Sequence, residues 1–84
     1  MKLVFSTRAW DDYLYWQKTD HRVVQRINAL ILDIRRDPFR GIGKPEPLKN
    51  ALSGYWARRI NGEHRMLYEI KDEGLLIVQL RYHY

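Results

Sequence analysis

The sequence predicts one α+β domain over residues 1–84, in which two helices pack on one face of a small, twisted antiparallel sheet. Two patterns lead to this prediction: an apolar stripe of helical period between Val23 and Ile34, and three short apolar runs separated by turn residues after Gly54. Their order along the chain is β-α-α-β-β-β. A chain of 84 residues is too short to divide its buried surface between two cores, so a single domain is expected.

The first two elements are a short strand and a helix. The run Lys2–Phe5 predicts the strand, and Ser6 is a suitable N-cap because its hydroxyl can accept a hydrogen bond from an amide of the first helical turn. In the helix that follows, helical spacing puts four side chains on one face: Trp10, Tyr13, Leu14 and Gln17. Periodicity does not decide whether Trp10 and Trp16 belong to the core or to an interface.

The second helix has the strongest periodic signal in the chain. Thr19 and Asp20 offer capping oxygens at its start, and Pro38 predicts its end because proline disfavours helical geometry in the residue before it. Six apolar residues keep a 3.6-residue period over three turns: Val23, Val24, Ile27, Leu30, Ile31 and Ile34. This stripe predicts that the helix packs on the sheet beside the first one.

The second half of the chain is a loop followed by three strands. Residues 39–49 contain two Gly and two Pro without a usable period, which predicts an ordered but irregular loop. Long loops in compact domains are often functional. The turns Asn61-Gly62 and Asp72-Glu73-Gly74 then separate three expected strands: Tyr55–Ile60, His64–Lys71 and Leu75–Leu80.

The composition narrows the classes of partner and site. Fifteen Lys and Arg against ten Asp and Glu give a net charge of +5, which favours a polyanionic partner such as nucleic acid, although many small proteins carry as much for solubility alone. The absence of Cys excludes disulfides and thiolate zinc sites, and three scattered His give no ligand set, so no metal or cofactor is expected. The chain is expected to be cytoplasmic, because its first apolar run is too short for a signal peptide and no stretch approaches the roughly 18 apolar residues of a membrane span.

Cleavage of RNA without a metal needs a base for the 2′-hydroxyl, cations for the phosphate oxygens and an acid for the departing 5′-oxygen. Glu46 is the candidate base, because Pro45 and Pro47 partly fix the backbone that carries it. Taken alone, such a glutamate is more often a solvated loop residue. Arg59 and Arg65 flank the Asn61-Gly62 turn on adjacent strands and could hold one phosphate between two guanidiniums.

The alternative for the two arginines is cross-strand pairing with Glu63 and Glu69. Four other cations are weaker candidates for contacts with an RNA backbone: Lys44, Lys49, Arg58 and Arg81.

The residues Arg81-Tyr82-His83-Tyr84, which follow the last predicted strand, are called the tail below. His83 is the candidate acid, because histidine gains and loses a proton near neutral pH. Tyr82 and Tyr84 could stack on bases, or Tyr84 could hydrogen-bond the phosphate. Strand alternation would send His83 and Tyr84 to opposite faces, so the tail must leave strand geometry if both serve one site. His21 and His64 have no such neighbours and are interpreted as ordinary structural residues.

The order of elements and four segments together resemble the YoeB toxins, a branch of the RelE/ParE toxin superfamily. The segments are Lys44–Lys49, Ser53–Ile60, Glu63–Tyr68 and Arg81–Tyr84. The likeness covers the whole chain, including Trp10–Gln17. It implies a RelE-like fold, similar to microbial ribonucleases, and a ribosome-dependent endoribonuclease of a type II toxin-antitoxin pair. Such an enzyme cuts mRNA in the ribosomal A site, leaves a 2′,3′-cyclic phosphate and a 5′-hydroxyl, and so inhibits translation.

The resemblance also implies roles for single residues. Glu46 would be the general base and His83 the general acid, with Tyr84 in support. Three cations would contact the phosphate or the transition state: Lys49, Arg59 and Arg65. The partners it implies are a YefM-like antitoxin, the ribosome and mRNA, a homodimer, and operator DNA only through the antitoxin complex, with no membrane.

Two other functions are compatible with a basic domain of this size. One is a non-catalytic inhibitor of DNA gyrase of the ParE kind, which would not need an acid and a base. The other is a basic RNA-binding module that coats RNA without cutting it.

Overall fold

The computed structural model describes residues 1–84 and has an α+β architecture, as expected. Its regular elements are β1 Lys2–Phe5, α1 Thr7–Thr19, α2 His21–Arg36, β2 Glu46–Pro47, β3 Trp56–Arg59, β4 Arg65–Lys71 and β5 Gly74–Gln79, with a 3-10 turn at Asn50–Leu52 between β2 and β3. The order of strands in the sheet is β1-β5-β4-β3-β2. Neither α1 nor α2 has the length and apolar character of a membrane-spanning helix.

The sheet differs from the prediction in two ways. It is mixed rather than wholly antiparallel, because β1 pairs in parallel with β5, with Leu3 opposite Leu75. The hairpins fix the antiparallel pairing of β3, β4 and β5, whereas no short turn constrains β1, which lies far from β5 in the sequence. A fifth strand, Glu46–Pro47, also forms inside the segment expected to be irregular and pairs with β3.

The helix ends are formed by the capping residues that the sequence indicates. The Ser6 hydroxyl oxygen accepts a hydrogen bond from the Ala9 amide at 3.0 Å, and an oxygen of Asp20 accepts one from the Arg22 amide at 3.0 Å. The Thr19 hydroxyl instead donates to the carbonyl of Tyr15. Asp20 is therefore the N-cap of α2.

The two hairpin turns use their residues differently from what their sequences predict. Asp72 and Glu73 adopt the left-handed conformation, with φ of 52° and 60°, and form the two-residue connection between β4 and β5. Asn61 does not adopt a positive φ; its side-chain oxygen accepts hydrogen bonds from the amides of Glu63 and His64.

The core lies between the two helices and one face of the sheet. The predicted stripe of α2 supplies much of it, including the fully buried Ile27, Leu30 and Ile34. On α1 the sequence pattern leaves the buried side open, and the structure places Trp16 in the core whereas Trp10 is 47% exposed. Bulky aromatic residues on both sides of this helix hide which side faces the sheet.

Candidate active site

The sheet face opposite the helices carries a row of charged side chains on three neighbouring strands. Glu46 of β2 pairs with Ala57 of β3, and Arg59 of β3 pairs with Arg65 of β4. Residues directly opposite one another, and residues two apart on a strand, lie on the same face of a sheet. The carboxylate and the two guanidiniums therefore share one surface, as the candidate site requires.

The loop that presents Glu46 is fastened by Arg58, whose side chain is fully buried on the helix side of the sheet. Its five N–H donors all have partners: the Asp33 carboxylate at 2.6 Å, the Tyr68 hydroxyl, and the carbonyls of Asp37, Arg40 and Ile42. The prediction that Arg58 contacts RNA is wrong, because strand alternation turns it away from Arg59 and into the interior. Its role is to hold the segment between α2 and β2 in place.

Two glycines let this segment approach the Arg58 network closely. A β-carbon at Gly41 would lie 1.8 Å from Oδ2 of Asp33, and one at Gly43 would lie 2.8 Å from a methyl group of Leu30. Both glycines also have positive φ, of 131° and 79°. The glycines of the Gly41-Ile42-Gly43 sequence are therefore required by packing and backbone geometry.

The tail leaves strand geometry at Tyr82, as it must if His83 and Tyr84 serve one site. Tyr82 has φ of 69°, in the left-handed region. Its carbonyl accepts a hydrogen bond from the Arg65 amide at 3.0 Å, and its own amide donates to Nδ1 of His64 at 2.8 Å. The tail is thus fastened to β4 and is not a frayed terminus.

The tail reaches the far edge of the sheet through Tyr84, whose hydroxyl donates a hydrogen bond to Oε1 of Glu46. This bond raises the pKa of Tyr84, and burial and the Glu46 charge add to the effect, whereas the nearby charges of Arg65 and Arg59 oppose it. Tyr84 therefore keeps its proton at neutral pH and acts as a donor. The contact brings the candidate base and the tail together. Both arginines lie close enough for their charges to lower the pKa of the Tyr84 phenol.

The candidate acid lies next to this contact. The His83 imidazole is exposed, its ring centre lies 4.6 Å from that of Tyr84, and its Nδ1 is 3.3 Å from the carbonyl oxygen of Tyr84. If Nδ1 carries the proton it can donate to that oxygen, and Nε2 has no hydrogen bond in the chain.

The arginines of the row keep donors available for an anion. Arg65 uses only Nη1, which donates to the carbonyls of Asn61 at 2.7 Å and His64 at 3.1 Å, so its Nε and Nη2 have no protein partner. Arg59 is exposed and its guanidinium bonds to nothing in the chain, and neither arginine pairs with Glu63 or Glu69.

Lys44 and Lys49 are exposed on the segment around Glu46 and have no ion pairs. Both lysines therefore lie within three residues of Glu46, the candidate base, in the sequence and are free to contact an anion.

Arg81 and Tyr82 occupy the other end of the tail. The Arg81 guanidinium lies 3.6 Å from the ring centre of Tyr15 on α1 and 4.6 Å from that of Tyr82. Arg81 is therefore held between two aromatic rings, while the Tyr82 side chain remains 51% exposed and open to stacking.

Comparison with known proteins identifies the family of this chain. The family model described as YoeB-like toxin of bacterial type II toxin-antitoxin system matches residues 5–84. The chain belongs to the family of YoeB-like toxins. The Toxin YoeB of Escherichia coli K12 is 62% identical over the full length of both chains.

Solved structures of YoeB proteins agree with this fold over the whole chain. A YoeB/ParE toxin from Agrobacterium tumefaciens has a TM-score of 0.98 and 51% identity, with both chains fully covered. A YoeB dimer from Staphylococcus aureus has a TM-score of 0.93 and 45% identity, and the YoeB of a heterotetrameric YoeB-YefM toxin-antitoxin complex from the same organism has a TM-score of 0.92 and 45% identity. Both comparisons cover 100% of this chain and 98% of the other.

Three side chains that bond to the chain at and just before the tail are not marked by any pattern of catalytic residues in the sequence. His64, interpreted as an ordinary residue, holds the tail, and the Trp16 indole N–H donates to the Leu80 carbonyl at 2.9 Å. The Asp12 carboxylate accepts the Leu80 amide at 3.0 Å. The spacing of Asp12 and Trp16, one helical turn apart on α1, is the only signal in the sequence that links them.

Proposed function

We propose that this chain is a metal-independent, ribosome-dependent endoribonuclease that cuts mRNA in the A site and thereby inhibits translation. The observation that carries the proposal is the Tyr84 to Glu46 contact, because it joins the tail to the row of charged side chains. Membership of the YoeB-like toxins supports the same activity.

The reaction is an in-line attack of a 2′-hydroxyl oxygen on the adjacent phosphorus. Glu46 takes the 2′-hydroxyl proton; its Oε2 has no hydrogen bond in the chain and can receive it while Oε1 holds Tyr84. The free donors of Arg65 and Arg59, with Lys49 nearby, stabilise the charge that grows on the non-bridging oxygens.

The bond from phosphorus to the 5′-oxygen then breaks, and protonated His83 supplies the proton that this oxygen needs. The products are a 2′,3′-cyclic phosphate and a 5′-hydroxyl, and the enzyme is left with a protonated Glu46 and a neutral His83. Transfer of one proton back through solvent restores the starting state. Lys44, Arg81 and Tyr82 contact the mRNA on either side of the scissile phosphate in this proposal.

The test compares wild type, His83→Ala and His21→Ala on translating ribosomes, with mRNA 5′ ends mapped by primer extension. His21 is the matched control because it is exposed at the start of α2, outside the tail and the row. Loss of the acid should lower the single-turnover rate roughly 100- to 10,000-fold, and His21→Ala should cut like wild type. Absence of cleavage by wild type would overturn the function, and equal cleavage by His83→Ala would overturn the acid assignment.

The proposed partners follow from the relatives. A YefM-like antitoxin is expected to neutralise this chain, since the YoeB of Staphylococcus aureus is solved as a complex with YefM, and a homodimer is expected because that protein is also solved as a dimer. Operator DNA would be bound only through the antitoxin complex. A cytoplasmic location follows from the ribosomal substrate.

A further inference from the structure

The chain that enters the tail is held by four side chains that the proposed chemistry does not use. Gln79 donates to the Arg81 carbonyl at 2.8 Å, and the other three are Asp12, Trp16 and His64. The amide of Leu80 donates to Asp12 and its carbonyl accepts from the Trp16 indole, so both polar groups of this peptide unit are bound to α1. Two residues later, the amide of Tyr82 donates to Nδ1 of His64 at 2.8 Å. The His64 bond is therefore the last side-chain tether before His83.

The surroundings of His64 fix its ring. The residue is 8% exposed, and the ring packs edge-on against Trp16 with the centres 4.9 Å apart. Because Nδ1 accepts an amide N–H it carries no proton, and the neutral ring holds its proton on Nε2. That nitrogen lies 3.9 Å from a carboxylate oxygen of Glu63, which favours the same tautomer.

The bond to His64 stabilises an unfavourable turn. Tyr82 has a positive φ, which is uncommon for a residue with a bulky side chain. Its peptide groups are bound on both sides, by His64 at the amide and by the Arg65 amide at the carbonyl. This turn directs the next two residues back across the sheet, toward Glu46.

We propose that His64 is a positioning residue for the tail: its Nδ1 fixes the turn at Tyr82 and so sets where His83 and Tyr84 lie over the row of charged side chains. This inference rests on the proposed nuclease function. His64 itself does not touch the reacting atoms.

Three substitutions of His64 distinguish the effect of its hydrogen-bond acceptor, Nδ1, from the effect of its ring packing against Trp16. His64→Phe keeps a ring against Trp16 and removes the acceptor. His64→Asn offers an oxygen near the position of Nδ1, whereas His64→Gln offers one near the position of Nε2. A positioning role through Nδ1 requires that Asn restores function better than Gln, which a purely packing role does not.

The activity readout is single-turnover cleavage of ribosome-bound mRNA at saturating toxin, with the affinity for ribosomes measured separately. His64→Phe should lower the rate roughly three- to tenfold, the effect expected for one neutral hydrogen bond, and leave the affinity unchanged. His64→Asn should lie closer to wild type than His64→Gln. A wild-type rate for His64→Phe, or equal rates for Asn and Gln, would overturn the proposal.

A second measurement does not depend on nuclease activity. It therefore tests the hydrogen bond between Tyr82 and His64 even if the chain does not cut mRNA. In amide hydrogen exchange by NMR, the Tyr82 amide should be protected in wild type and in His64→Asn and should exchange faster in His64→Phe. An unchanged Tyr82 amide in His64→Phe would overturn the tether.

The control for general destabilisation is Ile31→Ala, a core position that takes no part in these hydrogen bonds. It should lower the melting temperature while the Tyr82 amide stays protected at low temperature and the cleavage rate stays that of wild type. Loss of cleavage in Ile31→Ala as large as in His64→Phe would assign the effect to global stability and overturn the positioning role.

Discussion

Two side chains of the row, Glu46 and Arg65, are each held by a different partner in the protein. Oε1 of Glu46 is bound by Tyr84, and Nη1 of Arg65 is bound by two hairpin carbonyls. Each residue therefore has one side bound in the protein and the other free for a substrate. Bonds of this kind limit side-chain rotation before the substrate arrives, which lowers the entropic cost of reaching the reactive geometry.

Tyr84→Phe tests the donor at the end of the tail. Removing the phenol hydroxyl should lower the cleavage rate roughly ten- to a hundredfold, because one hydrogen bond to a charged group is lost. The melting temperature should hardly change, since the side chain is 44% exposed. Parallel ribosome assays and thermal melts measure the two effects, with Tyr15→Phe as the matched control. A large fall in melting temperature would show that Tyr84 is structural.

The loop between α2 and β2 is the element whose order depends most on one buried ion pair. Hydrogen bonds from Arg36 and from Arg58, with the Ile42 amide, lower the pKa of Asp33 from 3.8 to about 2. Arg36 is largely exposed, whereas Arg58 is buried, so water screens the first contact much more than the second. Arg58 is therefore the partner that matters for the loop.

Asp33→Asn should destabilise the protein by about 3 to 5 kcal/mol at neutral pH, because it leaves the buried Arg58 charge without its partner. The folded pKa lies below the unfolded one, so the Asp33 contribution is fully present above pH 4 and is lost as pH falls toward about 2. Wild type should therefore lose stability over this range faster than Asp33→Asn. Urea unfolding at several pH values measures this, with the exposed Asp11→Asn as control; parallel pH curves for wild type and Asp33→Asn would contradict the assignment.

The elements differ in how far the sequence predicts them. The cap at Ser6, the stripe of α2 and the three hairpin strands follow from local patterns and are confirmed. The parallel partner of β1 and the strand Glu46–Pro47 depend on contacts between distant segments, and two residues are too few to show a period.

The candidate site, like the fold, was predicted in part from the sequence. Glu46, Arg59, Arg65 and the tail were selected for their chemistry and lie together, although their catalytic roles stay predictions. The direction of Arg58 could not be predicted, since two adjacent arginines on a strand differ only in which face they occupy. His64 was missed because its partner is a backbone amide, and no side-chain pattern marks such a bond.

At the scale of the whole molecule, the sheet separates two tasks. One face packs on both helices and supplies the core, and the other carries the row and the end of the tail at Tyr84. The central strands β4 and β5 are paired on both sides, whereas β2 has two residues and one neighbour.

Amide hydrogen exchange should reflect this difference in strand pairing between the centre and the edge of the sheet. The amides of β4 and β5 that bond within the sheet should exchange most slowly, through global unfolding, and those of β2 and its flanking residues should exchange through local opening. NMR exchange at several denaturant concentrations distinguishes the two routes, because only global opening accelerates steeply with denaturant. The Leu48 amide, next to β2, donates a hydrogen bond to the Tyr55 carbonyl. If it exchanged as slowly as the β4 amides, the expected difference between the strands would be contradicted.

The row of charged side chains has a consequence for genetics. Its members come from β2, β3 and β4, and the tail joins them through Tyr84, so the candidate site exists only when distant parts of the chain have assembled. In a selection for cells that survive expression of this chain, escape mutations should therefore fall into two groups. Changes at Glu46, Arg65 or His83 should leave abundant, folded, inactive protein, whereas changes at Arg58 or Asp33 should act by lowering the amount of folded protein.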